Sequence, residues 1–164
     1  MEDLKSGITR ARFKCMKFTG LDVFDLSIQR TNLWFKELMQ ELNWTDHRKT
    51  YRAFRSVLHA LRDHLPMQDA LYVGNQLPML MRGFYFDHWD PSKKLVPLRN
   101  RNDFLPVVAA YMSREGEAGS DAELVSRAVF RLLERKTAEG EIDDLRRLLP
   151  AGLHDLWPPT LRAA

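Results

Sequence analysis

The second half of this chain echoes the first at a fixed offset. Arg55, Val57, Leu61, Leu77 and Pro78 recur without a gap as Arg127, Val129, Leu133, Leu149 and Pro150, each 72 residues later. The register holds from an apolar helical stripe to a leucine-proline pair some twenty residues on, as a duplicated unit would make it. A unit of this size has one apolar face and cannot bury it alone, so the two copies have to pack together. Whatever elements the first half forms, the second is expected to form again in the same order.

Those elements are helices. From about Leu26, the residues Ile28, Leu33, Phe35, Leu38, Met39 and Leu42 recur at helical spacing. Asn43 ends that run, and Thr45-Asp46 offers a cap for a second helix to about Leu65, with Tyr51, Phe54, Val57, Leu58 and Leu61 on its apolar stripe. Pro66 and Pro78 suit the openings of two short helices, over about 67–75 and 78–86. The second unit reads as helices near 103–113, 121–136 and 140–148, capped in part by Asp121, and a last one from Pro150 that places Trp157 in the slot of Tyr85. No alternating run long enough for a strand appears. The expected fold is therefore all-α: two pseudo-symmetric repeats of about four helices in one compact helical domain. Residues 1–24 read as a basic N-terminal arm docking Phe13, Met16 and Phe18 on the body, 25–87 as repeat 1, 88–102 as a linker loop, 103–158 as repeat 2 and 159–164 as a tail.

Composition narrows the function classes. Hydrophobic residues at 45% and charged residues at 29% are ordinary for a globular protein, and a net charge of +3 is mild. Cys15 is the only cysteine, which removes intramolecular disulfides and multi-thiolate zinc sites. With no apolar leader and no run of roughly 18 apolar residues, neither export nor a membrane span is expected, and the location reads as cytoplasmic. A P-loop, a dinucleotide fingerprint, a G-x-S-x-G elbow, an HEXXH pair and the Glu-x-x-His pairs of di-iron bundles are all absent, so no catalytic residue, metal or cofactor is expected.

The charged residues divide between architecture and recognition. Arg55 and Arg127 each precede an acid by fourteen residues, Asp69 and Glu141, and a tight helical hairpin would let each pair form a structural salt bridge. His59 and Asp63 share a helix face and are the one local starting point for acid-base chemistry, although a surface hydrogen bond is the simpler reading. Arg10, Arg12, Lys14, Lys93, Lys94, Arg99 and Arg101 could gather into one positive patch touching phosphates. Arg82, Tyr85, Trp89 and Asp90 mix the residue types enriched at binding hot spots; alternatively Phe84 and Trp89 close the core while Asp87 and Asp90 cap or staple the linker. Met67, Met79 and Met81 read as core gap fillers, or as part of a peptide-binding groove should they prove exposed.

The run YRAFRSVLHALRDHLPMQDALYVGNQLPMLMRGFYFDHWDPS, then FLPVV and GEIDDLRRLLPAGLHDLWP, resembles the prokaryotic family called domain of unknown function 2267, over about residues 28–158. LHALRD, QLPMLMRG and WDP are the segments that carry it. The chain departs from the pattern in its basic arm and at Lys136-Thr137-Ala138. The resemblance implies a helical, internally duplicated protein and supplies no site residues for Arg62, Asp63, Arg82 or Trp89. The expected function is a noncatalytic protein-interaction or scaffolding module with an unknown protein partner or self-association. Nonspecific nucleic-acid binding, and an enzyme or small-molecule binder with an unrecognised pocket, are the alternatives.

Overall fold

The computed structural model describes residues 17–93 and 96–157. Among them are seven α-helices: α1 (Asp22–Leu42), α2 (His47–His64), α3 (Met67–Asn75), α4 (Met79–Phe86), α5 (Arg101–Arg114), α6 (Ala122–Lys136) and α7 (Glu139–Leu148). A single 3-10 turn, His154–Leu156, follows, and no strand occurs among the described residues. The all-α expectation holds.

Local chemistry sets most boundaries. Asn43 closes α1 in the left-handed region at φ 52°, a conformation that asparagine tolerates. The Asp46 carboxylate accepts from the N–H groups of Arg48 and Lys49, and Asp121 does the same for Glu123 and Leu124 at the start of α6. Pro66 and Pro78 stand just before α3 and α4, where no N–H is required of them.

Paired boundaries carry the sequence offset: Leu42 and Arg114, His64 and Lys136, and Met67 and Glu139 all stand 72 residues apart. From α2 onward burial keeps that register, with Val57 and Val129, Val73 and Leu145, and Tyr85 and Trp157 all in the core. On the first helix of each half the buried positions keep a different spacing from the helix ends: Trp34, Leu38 and Leu42 on α1 match Phe104, Val108 and Met112 on α5 at an offset of 70.

The core is continuous across both halves. Phe35, Tyr51, Phe54 and Phe84 form an edge-to-face cluster in the first, and Phe104, Phe130 and Trp157 stack at 6.0 and 4.9 Å in the second. Two charged seams border the apolar interface. On one, Glu41 pairs with Arg131 and Arg135 at 2.9 Å while Glu37 holds Lys136, joining α1 to α6. On the other, Glu115 and Glu117 beyond α5 reach Arg55 and Arg52 on α2.

Three expectations need correction. Phe18 does not dock: it is 60% exposed, and its N–H joins Thr19 in donating to the Asp25 carboxylate. Phe13 and Met16 lie outside the described residues. Among the described residues no α-helix follows Pro150; Gly152 instead forms a bridge with Asn100, and its carbonyl accepts from Arg101 N at 3.0 Å. The closeness of that contact rules out a side chain there, since a Cβ on Gly152 would lie 2.3 Å from the Arg99 carbonyl oxygen. Finally, neither fourteen-residue ion pair forms. Arg55 and Arg127 each lie nine residues before the end of their helix, about 14 Å along the axis, whereas Asp69 and Glu141 sit just beyond that end. Arg55 pairs instead with Glu115 and Asp87, and Arg127 with Glu123 at 2.8 Å.

Two glycine substitutions should separate close approach from helix entropy. Gly152→Ala is expected to cost about 2 kcal/mol by forcing the linker off the last turn. Gly83→Ala, in exposed space within α4, should stabilise by about 0.5–1 kcal/mol. Urea unfolding midpoints measure both, and a Gly152→Ala protein as stable as the parent would refute the close packing.

Candidate functional site

A polar face of α2 emerges inside the otherwise apolar body. His59, Arg62 and Asp63 lie on one side of that helix; His59 and Arg62 act on the short helix α4, and Asp63 holds Arg62. His59 Nε2 donates to the Phe84 carbonyl at 2.8 Å. The Arg62 guanidinium, 4% exposed, donates through Nη1 to the carbonyls of Tyr85 and Asp87 and through Nε to Asp63 Oδ1 at 2.6 Å. The positive φ of His88, 52°, turns the chain back so that Trp89 N reaches the Phe86 carbonyl at 3.1 Å. Every one of these carbonyls ends a helix and would otherwise be an orphan acceptor. LHALRD thus clamps the end of α4, and its residues meet FYFDHWD through the backbone.

Burial tunes the groups around the clamp. His59 is driven down to about 4, chiefly because burial disfavours its charged form, with Arg62 and Arg55 adding to the effect against the pull of the Phe84 carbonyl. Tyr111 donates its hydroxyl to Asp63 Oδ2 at 2.9 Å, and burial together with that carboxylate pushes it up to about 12. Asp63 is therefore shared by Arg62 and Tyr111. No hydrogen bond joins it to His59, so the acid-base pairing suggested by their spacing does not form.

A cavity of about 270 Å³ opens beside the clamp, lined by Arg62, Asp63, Trp89, Asp90, Tyr111 and Arg114 together with the neighbouring His88 and Lys93. Trp89 and Asp90 thus share one site. Tyr85 does not join them as a contact residue: it is fully buried, with its hydroxyl donated to the Ala70 carbonyl at 2.9 Å and its ionisation pushed up by burial. Asp90 accepts from Ser92 N and Oγ, the turn-stapling role that the sequence allowed.

Arg82 belongs elsewhere. It donates to the carbonyls of Gly74, Asn75 and Leu77 at 3.2, 3.3 and 3.4 Å, closing the end of α3 as Arg62 closes α4. It also lines a broader groove of about 560 Å³ with Arg30, Leu33, Trp34, Met79 and Lys136. No carboxylate lines this groove. Arg30 and Arg82 have no acidic partner among the described residues, and Lys136 is held by Glu37. The N-terminal, electropositive end of α4 opens here, with Leu80 N bonded to Ser27 Oγ at 2.8 Å. Leu33 and Met79 are exposed along it. Of the three methionines read as core fillers, only Met81 is buried; Met67 and Met79 are exposed.

The proposed phosphate patch is not assembled from the residues described. Arg101 bonds Glu123 at 2.5 Å and Asp155 at 3.2 Å, Arg99 N is tied to Asp103, and Lys93 faces the cavity by Trp89. Arg10, Arg12, Lys14 and Lys94 lie outside the described residues. Among the described residues there is no cluster of three potential metal ligands, and no helix is long and apolar enough to cross a membrane.

Sequence reasoning missed Arg30, Lys136, Tyr111 and Arg114 as site residues. Each lies on a helix far along the chain from the residues it faces, and nothing local marks it. Arg62 did carry a signal: an arginine within the apolar stripe, one residue after Leu61.

The family model for an uncharacterized conserved protein, DUF2267, matches residues 31–156, and the chain belongs to that family. No curated protein matches it.

Removing the clamp should be costly. Arg62→Met leaves two carbonyls and one oxygen of Asp63 without their donor and is expected to lose about 3–5 kcal/mol, against about 1 kcal/mol for Arg82→Met at its exposed site; thermal and urea unfolding compare them. His59 predicts a pH dependence. Unfolded, it takes up its proton near 6.5; folded, only near 4. Between those values the unfolded chain binds more protons, so stability is full above the window and falls on acidification, by about 3 kcal/mol. His59→Gln should lack that share of the slope, and parallel curves for the two proteins would contradict it.

Proposed function

We propose that this DUF2267-family protein is a noncatalytic interaction module, and that the groove between α1, the α3–α4 turn and the end of α6 receives an acidic amphipathic segment of a partner protein. The observation that carries the reading is charge: Arg30, Arg82 and Lys136 line one groove with no carboxylate among its walls. Exposed Leu33 and Met79 give the same groove an apolar rim, so a partner helix with acids and leucines at alternating turns fits both features. Methionine suits such a rim because its unbranched side chain repacks around different partners. In this reading the two halves are duplicated architecture, and the groove is a product of how the second half's α6 comes to rest beside α1.

The reading favours protein over nucleic acid because the groove cations alternate with apolar side chains, whereas Arg101 of the suggested phosphate set is already bonded to two carboxylates. A fluorescently labelled peptide with Glu and Leu at helical spacing, its charge-reversed counterpart and a single-stranded DNA oligonucleotide provide the test by anisotropy. The expected outcome is saturable binding of the acidic peptide alone, weakened at least about tenfold by Arg30→Glu or Met79→Ser with unfolding midpoints unchanged. Arg82 is left intact because its loss would open the end of α3. Equal binding of both peptides, or preference for the DNA, would reject the proposal.

A further inference from the structure

The cavity beside the Arg62 clamp is distinct from the groove and does not depend on the reading just given. We infer that it is a binding site for a small anion carrying a flat ring, in the class of aromatic carboxylates and phosphorylated bases.

Charge inside the cavity is unequally committed. Its two carboxylates are already engaged: Asp63 takes Arg62 Nε on one oxygen and the Tyr111 hydroxyl on the other, and Asp90 Oδ1 takes both donors of Ser92. The cations are not so engaged. Arg114 packs over the Tyr111 ring with its guanidinium 5.3 Å from the centroid and forms no salt bridge among the described residues, and Lys93 forms none either, acting on Asp90 only through its field. Arg62 lines the cavity, and its protein hydrogen bonds among the described residues run through Nε and Nη1, which leaves the Nη2 edge of the guanidinium without a protein acceptor there.

The ends of α2, α4 and α5 converge here, and bare helix C-termini would repel an anion. At α4 the repulsion is removed by the clamp itself, since His59, Arg62 and Trp89 N take the terminal carbonyls. At α5 the N–H groups of Glu115, Gly116 and Glu117 take those of Tyr111, Ser113 and Met112. What remains facing the cavity is three cations, Arg62, Lys93 and Arg114, against the two carboxylates of Asp63 and Asp90. The walls supply the second half of the specificity: Trp89 and Tyr111 present aromatic surface on which a ring can stack. A volume of about 270 Å³ limits the ligand to a single small molecule, below the span of a dinucleotide. Fixed donors beside aromatic walls select an anion attached to a ring, rather than either alone.

Adenosine 5′-monophosphate and benzoate are suitable probes, with adenosine and benzamide as uncharged counterparts, each titrated into the full chain by calorimetry and by NMR observation of the Trp89 indole. Saturable binding of either anionic probe, at least about tenfold tighter than its neutral counterpart, is expected, and whichever binds identifies the source of the anion. Lys93→Gln with Arg114→Gln should weaken it at least about tenfold, while Arg30→Glu in the separate groove should leave it unchanged. Should the double variant unfold, Lys93→Gln alone, on an exposed turn, must still weaken binding. Absence of binding by both anions, equal binding of charged and neutral probes, binding that survives loss of Lys93 and Arg114, or an Arg30→Glu effect of equal size would overturn the assignment.

Discussion

A guanidinium buried in a helical bundle is an expensive group to desolvate, and its position is correspondingly constrained. Arg62 is tolerated because its donors meet acceptors that would themselves be stranded: the last carbonyls of α4 and the carboxylate of Asp63. With only eight residues, α4 is too short to persist by helix propensity. Its C-terminal end is fixed by α2, and with it the His88 turn, the placing of Trp89 and the direction in which the linker leaves. At the opposite end of the same helix, Arg82 folds back to close α3 while Ser27 receives Leu80 N. The cavity and the groove thus lie at the two ends of one short helix, and both inherit their geometry from arginines that cap helices.

The ion pairs around the perimeter do different work. Exposed pairs such as Arg131–Glu41 and Arg135–Glu41 each contribute only about 0–1 kcal/mol, so the seam between α1 and α6 does not hold the halves together by charge. Cohesion comes from the buried contact of Leu38, Val57, Leu58, Val129 and Phe130. The seam's contribution is register. Carboxylates at Glu37 and Glu41, one turn apart, meet cations on successive turns of α6, and a slip of one turn would leave one end unmatched.

Much of this architecture was legible because it is written locally. The apolar period, the carboxylate caps at Asp46 and Asp121, the asparagine stop at 43 and the prolines before α3 and α4 each act within a few residues. The last helix was misread because Gly152 answers to the Arg99–Asn100 backbone some fifty positions away, a contact that no local propensity reports. The ion pairs were misread for a different reason. Arg55 and Asp69 have the right chemistry and the wrong heights, since a hairpin brings together residues equidistant from its turn. Of the four residues proposed as one contact set, Trp89 and Asp90 line one cavity, whereas Arg82 lines the groove at the other end of α4. The groove required Arg30, Arg82 and Lys136 to be recognised as neighbours across more than a hundred residues, and only tertiary packing puts them there.

The α1–α6 seam also bears on how such a chain comes into being. Its bonds join residues 90, 94 and 99 positions apart, so α1 is made long before the helix that completes its surroundings exists. During synthesis the first half can settle α1 against α2 and α4, but the edge carrying Glu37 and Glu41 must wait in water for the rest of the polypeptide to emerge. Carboxylates are well suited to that interval: a nascent helix showing acids stays hydrated and repels identical chains on neighbouring ribosomes, where leucines in the same places would invite them to associate. The edge that later sets the register thus begins as a guard against premature company.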